Sequence, residues 1–267
     1  MDEYSQTNLA RWDELVGVHL GAREFYDVDA FKAGRSTLKA IEREEVGDVH
    51  GKRLLHLQCH FGMDTISWAR EGAVAVGVDF SPEAIRVARE LSAELEAGAE
   101  FVCSDVYELP GKLEGAFDIV FASYGIICWL PDLAAWGKII SHFLVSGGFF
   151  YIVDVHPMGD ILDERDGELT VGLSYFDPGP IEEVVEEGSY ADRTAVVEHK
   201  TSYQWQHPLS EIVNAFVDAG FQVEFLHEFP FCMFQRLPSM VRGEDGWWRV
   251  PGHDDVPYLF SLRASKP

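Results

Sequence analysis

Between residues 52 and 155 short apolar runs alternate with amphipathic stretches. This pattern builds a parallel sheet covered by helices on both faces. Five strands are expected, at residues 53–58, 74–79, 100–104, 117–123 and 149–154, short and nearly continuous in apolar residues as doubly covered strands are. After the second, Ser81-Pro82-Glu83 reads as an N-cap, a first-turn proline and a first-turn acid, with Ile85, Ala88, Leu91 or Ser92 and Leu95 along one face. A second helix is expected over 132–144, with Leu133, Trp136, Ile140 and Phe143 on one stripe, stopped by Ser146-Gly147-Gly148, after which the fifth strand starts. Pro208 opens a third, in which Leu209, Ile212, Val213 and Phe216 follow the helical period and Gly220 marks the end. Strands at 221–229 and 257–264 then finish the sheet, paired antiparallel across an irregular Trp-rich segment, 243–252.

Two stretches stand outside this pattern. Residues 1–50 look like a helical cap, with Leu9, Trp12, Leu15, Val16 and His19 on one face; residues 157–207 look like an insertion, broken at Tyr175-Phe176-Asp177-Pro178-Gly179-Pro180, with added strands through Ala195-Val196-Val197 and residues 201–205. The chain therefore divides into a cap (1–50), an α/β core (51–156), an inserted lid or substrate segment (157–207) and a C-terminal completion of the core sheet (208–267). At 267 residues it is long enough for one buried core with additions.

Charge narrows the partners. With 21 Lys+Arg against 45 Asp+Glu the net charge is −24, so nucleic-acid backbones and anionic membranes are repelled, whereas a cationic ligand is welcome. Cys59, Cys103, Cys128 and Cys232 are far apart and form neither zinc spacing nor a disulfide framework. The start, Met1-Asp2-Glu3-Tyr4-Ser5-Gln6, lacks the basic and apolar parts of a signal peptide, and no apolar run is long enough to span a bilayer. A cytoplasmic location is expected.

In open parallel sheets ligands bind beyond the carboxyl ends of the strands. Those ends read Gln58-Cys59-His60-Phe61-Gly62, Asp79-Phe80-Ser81, Ser104-Asp105-Val106, Ser123-Tyr124-Gly125 and Asp154-Val155-His156. Asp79 stands about twenty residues after the first loop, where a carboxylate can accept from both hydroxyls of an adenosine ribose; Asp105 is placed to accept from an adenine amino group. A dinucleotide needs glycines in the first loop so that backbone N–H groups approach its pyrophosphate. Only Gly62 is present, with Gln58 and His60 where small residues would stand.

The run Leu55-His56-Leu57-Gln58-Cys59-His60-Phe61-Gly62, with the order of elements around it, resembles the first motif of class I S-adenosylmethionine-dependent methyltransferases, in a small-molecule, type 11/12-like branch. The resemblance is close over residues 51–156. It implies a Rossmann-like, doubly wound, mostly parallel seven-stranded sheet with an antiparallel last strand. It further implies S-adenosyl-L-methionine as cofactor and S-adenosyl-L-homocysteine as product. Leu57, Gln58, His60 and Gly62 would then meet the methionine part, Asp79, Phe80 and Ser81 the ribose and adenine side, Asp105 and Val106 the adenine, and Ser123 the region near the methionine. Members of the family usually carry an acid where His56 stands and glycines where Gln58 and His60 stand. His56 and His60 have no spaced partners and do not suggest a metal site.

Methyl transfer from a sulfonium is an in-line displacement, and well-oriented reactants gain roughly 7 to 11 kcal/mol from positioning alone. A general base is needed only if the acceptor must lose a proton; His156 and Asp154 are first candidates, Tyr124 next and His19 behind them. Trp12, Tyr26, Trp129 and Trp205 could wall a pocket favouring the sulfonium. Ser123-Tyr124-Gly125-Ile126 stands where an Asn-Pro-Pro-Tyr signature of amino-group methylation would be. A small-molecule acceptor is what remains. The alternatives are a non-catalytic S-adenosylmethionine-binding regulator and an NAD-dependent oxidoreductase, which the missing glycines disfavour.

Overall fold

A computed structural model describes residues 1–186 and 188–267. It opens with four helices, α1 (Glu3–Gly21), α2 (Arg23–Tyr26), α3 (Val28–Lys32) and α4 (Ala40–Val46). The alternating region follows as β1 (Arg53–Leu57), α5 (Met63–Arg70), β2 (Val74–Asp79), α6 (Pro82–Glu94), β3 (Glu100–Cys103), β4 (Phe117–Ser123), α7 (Leu133–Phe143) and β5 (Leu144–Val155). The insertion supplies α8 (Pro157–Asp160), β6 (Leu162–Arg165), β7 (Glu168–Val171), β8 (Ile181–Val184) and β9 (Thr201–Gln204). The chain closes with α9 (Leu209–Asp218), β10 (Gln222–Phe229), β11 (Val241–Arg242), β12 (Trp248–Arg249) and β13 (Leu259–Ser265).

Seven strands form one sheet in the order β10-β13-β5-β4-β1-β2-β3. From β1 the chain steps outward to β2 and β3, all parallel, then returns to place β4 on the other side of β1. That reversal is the topological switch of a doubly wound sheet. β13 runs antiparallel to β10, as the sequence pattern predicts, and antiparallel to β5, as the family resemblance implies for the last strand. By contact the chain sorts into two compact units, one of residues 1–121, 142–148 and 182–203, the other of 122–141, 149–181 and 204–267. The insertion is thus shared, 182–203 going with the first unit and the rest with the second.

In the first unit the apolar face of α6, with Ile85, Ala88 and Leu91, packs with Phe61, Ile66 and Phe101, and Val16 of α1 and Phe31 of α3 join the same core. Gly62 is what lets α5 begin there. Its φ is +80°, and a Cβ on it would stand 2.5 Å from a ring carbon of Phe101 and 2.9 Å from Ala88 Cβ. In the second unit Trp136 and Phe216 close on Phe150, with ring centroids 5.3 and 4.8 Å from it.

Three local expectations change. The buried face of α1 is Asn8, Arg11, Leu15, Val16 and His19, not the apolar stripe through Leu9 and Trp12. Its polar members are paired: the Asn8 amide donates to the Tyr203 carbonyl and accepts from the Tyr203 N–H, both at 2.8 Å, and Arg11 donates to the His199 carbonyl at 2.7 Å. Strand β5 starts at Leu144, directly after α7, and carries the expected break within it, with Gly147 at φ +80°. Residues Ala195-Val196-Val197 form no strand, while the hairpin β6–β7 was not expected. Its signal is Asp166-Gly167, both at positive φ (54° and 80°), the turn chemistry of a two-residue hairpin.

Gly62→Ala therefore forces a side chain into a left-handed position already filled by Phe101, and should destabilise the protein by roughly 2 kcal/mol or more. Urea unfolding monitored by circular dichroism would measure this; an unchanged midpoint would contradict the packing described.

Candidate functional site

The carboxyl ends of β1 and β2 lie together in the first unit, and Asp79 joins their loops. Its Oδ2 accepts from the His60 N–H at 2.8 Å and its Oδ1 from the Ser81 N–H at 2.9 Å. Burial pushes its carboxyl up to about 6, against the pull of the Ser81, His60 and Phe80 N–H groups. A carboxylate offers about four lone-pair sites, so Asp79 keeps acceptor capacity beyond the N–H groups that hold it.

The loop after β1 has the path of a glycine turn without the glycines. Gln58 and His60 sit at φ 55° and 51°, a region side chains seldom adopt. The turn is pinned by Cys59 N–H to the Val78 carbonyl (2.9 Å) and by His60 N–H to Asp79. Leu57 is fully buried at the end of β1, and Gly62 ends the turn as the N-cap of α5. His56 points away from the loop: its Nδ1 meets Thr65 Oγ1 of α5 at 2.8 Å, its ring stands edge-on to Phe121, and burial lowers it to about 4.

Helix α1 crosses both loops. Asp13 accepts from Ser81 Oγ (2.6 Å) and the Glu83 N–H (2.9 Å), while Ser81 caps α6 by accepting from Ala84 N–H (3.0 Å). His19 Nδ1 lies 2.8 Å from His60 Nε2, and His19 Nε2 lies 3.2 Å from Ser189 Oγ. Trp12 stands edge-on to His60 at 5.6 Å, Tyr26 stacks on His19 at 5.1 Å, and the Tyr26 and Tyr190 hydroxyls are hydrogen-bonded. Burial, then the Arg11 charge, lowers His19 to about 3; burial, then His19, holds His60 well below its usual range. Both imidazoles are neutral at pH 7.

At the end of β3, Asp105 accepts from the Tyr107 N–H at 2.9 Å and is half-buried, with Val106 buried beside it and Phe80 half-buried after β2.

The second unit holds the remaining candidates. Ser123 is buried at the end of β4, and Tyr124 follows at φ 55°, its N–H donated to the Val153 carbonyl. Asp154 is fully engaged: Oδ1 accepts from the N–H groups of Gly125 and Val155, Oδ2 from those of Ile126 and Ile127 at 3.0 Å each. Burial pushes this carboxyl up to about 6. His156 Nδ1 accepts from the Met158 N–H at 2.9 Å and so caps α8, leaving Nε2 to face Glu228 Oε1 at 2.9 Å. Burial lowers His156, with Glu228 opposing. Sequence reasoning missed the capping role of His156, although Pro157 at the first helical position signalled it. It also missed Asp13 and the His19–His60 pair, which long-range packing creates. Among the described residues no cluster of His, Cys, Asp or Glu could hold a metal, and no helix is long and apolar enough to cross a membrane.

Residues 54–148 match the family described as a methyltransferase domain. That segment, well under half of the chain, is similar to a methyltransferase domain. Among curated relatives it is 32% identical over 105 residues to magnesium-protoporphyrin O-methyltransferase of Rhodobacter capsulatus, covering 38% of this chain and 46% of that one. It is 26% identical over 134 residues to ubiquinone biosynthesis O-methyltransferase of Xanthomonas oryzae pv. oryzae, covering 49% and 56%. The chain spans about half the length of the curated relatives it matches. In fold it resembles an S-adenosylmethionine-dependent methyltransferase from Mesorhizobium loti, with TM-score 0.59 and 19% identity over 85% of this chain and 96% of that one. The glycopeptide N-methyltransferase MtfA complexed with S-adenosyl-L-methionine gives TM-score 0.54 and 16% identity over 87% and 96%. The methyltransferase domain and the seven-stranded doubly wound sheet are those expected from the first motif and the strand pattern.

The protein joins neutral buried histidines to high-lying carboxyls, and their effects on stability oppose each other. His19, His56, His60 and His156 have lowered folded values, so the unfolded chain takes up protons first as pH falls below about 6.5, and native stability is lost. Each contributes a slope of up to about 1.4 kcal/mol per pH unit. Asp79 and Asp154, raised to about 6 from 3.8, and Asp160, also raised, act the other way, since the folded state protonates first between those values. Four histidines against three carboxyls predict a net loss of stability from pH 7 to pH 5. Replacing His56 by Gln should flatten that slope; urea unfolding at both pH values checks it, and an unaltered slope would mean His56 is not held neutral.

Proposed function

We propose that this protein transfers the methyl group of S-adenosyl-L-methionine to a small-molecule acceptor, releasing S-adenosyl-L-homocysteine. The observation that carries the reading is Asp79, a buried strand-end carboxylate with spare acceptor capacity that ties together the loops after β1 and β2. Its two oxygens suit the two ribose hydroxyls. Asp105 with Val106 is assigned the adenine edge, Phe80 an adenine face, and Leu57, Gln58, His60, Gly62 and Ser81 the remaining cofactor contacts. A net charge of −24 favours a cationic sulfonium over phosphate-bearing ligands, and argues against nucleic acid and anionic membranes as partners. We place the enzyme in the cytoplasm, and read residues 1–50 and the insertion as cover for the core.

The acceptor is displaced onto in line, so holding nucleophile, methyl carbon and sulfur collinear is the main task. Both Asp154 oxygens are engaged by main-chain N–H groups, and His156 Nδ1 is spent on a helix cap. We therefore assign both to positioning the loops after β4 and β5, with Tyr124 the remaining candidate in that unit to meet the acceptor. An acceptor ionised or neutral-nucleophilic at working pH fits such a site.

Isothermal titration with S-adenosyl-L-methionine and S-adenosyl-L-homocysteine should give micromolar binding, and NAD none. Asp79→Ala should weaken both adenosyl ligands by at least about tenfold, the size expected for a lost hydrogen-bonded charge. Affinity should fall as pH drops through about 6, because a protonated Asp79 accepts fewer hydrogen bonds from ribose. Absence of binding by the unaltered protein would overturn the methyltransferase reading. Binding without methyl transfer to any small molecule in an isotope-labelled screen would favour a regulatory binder.

A further inference from the structure

We propose that His19 is a positioning residue for the cofactor loop: through its hydrogen bond to His60 it holds the left-handed turn after β1 that a glycine would otherwise hold. The inference rests on the methyltransferase reading above, and makes cofactor affinity depend on α1.

The loop adopts positive φ at residue 60, whose N–H is bonded to Asp79, yet residue 60 carries a side chain there. A non-glycine residue in this conformation persists only when its surroundings enforce it. The His60 ring is enclosed by Trp12 (5.6 Å), His19 (5.0 Å), Tyr26 (5.8 Å) and Phe61 (4.4 Å), and His19 offers it a directional bond.

The proton arrangement can be derived. Ser189 Oγ accepts from the N–H groups of Ala191 (3.1 Å) and Asp192 (3.3 Å), which fills its acceptor sites and leaves its own hydrogen to donate. That hydrogen goes to His19 Nε2, so Nδ1 carries the His19 proton and donates to His60 Nε2. The neutrality that burial imposes on both rings is what this relay requires. A serine of the insertion therefore fixes the tautomer of a histidine on α1, which in turn fixes a ring on the cofactor loop. Gly62, by contrast, is kept as glycine because Phe101 leaves no room for a side chain.

The test is a double-mutant cycle read by titration with S-adenosyl-L-methionine. His19→Ala, and His19→Phe, which keeps a ring but offers no nitrogen, are each made in the natural chain and in His60→Gly, with urea unfolding measured alongside. In the natural chain each His19 variant should raise Kd about tenfold or more, the equilibrium equivalent of a left-handed residue's conformational cost. In His60→Gly, whatever its own baseline, the same variants should change Kd by less than about twofold, since glycine holds the turn unaided. A general loss of stability would lower affinity alike in both backgrounds. Equal effects in the two backgrounds, or no effect in either, would overturn the role of His19. No binding by the natural chain would instead overturn the underlying function.

Discussion

The geometry of the loops after β1 and β2 depends on one buried carboxylate. Asp79 sits where β2 ends, too deep to be well hydrated, and is held there by N–H groups from two different loops. Burial of a carboxylate is costly unless hydrogen bonds compensate. The chain supplies one of them from the loop after β1, which turns through two left-handed residues and presents the His60 N–H to the carboxylate. The conformation of that loop and the start of α6 are consequences of satisfying this one group.

Asp154 in the second unit solves the same problem to a different end. It too is a buried strand-end carboxylate pushed up to about 6, and it too holds the loop after a neighbouring strand. All of its lone pairs are used on main-chain N–H groups, so it builds a loop and nothing more. Asp79 has capacity left over. Two acids of like burial and like electrostatics are therefore separated by a count of hydrogen bonds, which decides which of them can receive a ligand.

Much of the core was legible because doubly buried strands and amphipathic helices follow periods that local sequence records. Strands β2 and β4 begin and end where the apolar runs do, and Ser81-Pro82-Glu83 starts α6 as an N-cap, proline and acid should. The hairpin β6–β7 was equally local, in Asp166-Gly167, but lay in a stretch with weak apolar alternation. What could not be read was anything made by residues far apart in the chain. Asn8 and Arg11 break the apolar stripe of α1 because they bond carbonyls nearly two hundred positions away, at separations of 195 and 188. A helical wheel records hydrophobicity and not such partners.

The first motif shows the same limit at the site itself. Glycines are expected in this loop because the backbone needs positive φ and close approach, and their absence at positions 58 and 60 reads locally as damage. The structure separates the two requirements. Positive φ is retained with side chains in place, at 55° and 51°, because strand hydrogen bonds, Asp79 and the neutral His19–His60 pair enforce it. Close packing is retained only at Gly62, where a Cβ would collide with Phe101. A conformation that glycine permits at no steric cost can thus be imposed by tertiary contacts instead. The consequence is that cofactor geometry in this chain is a property of the folded N-terminal helix as much as of the motif.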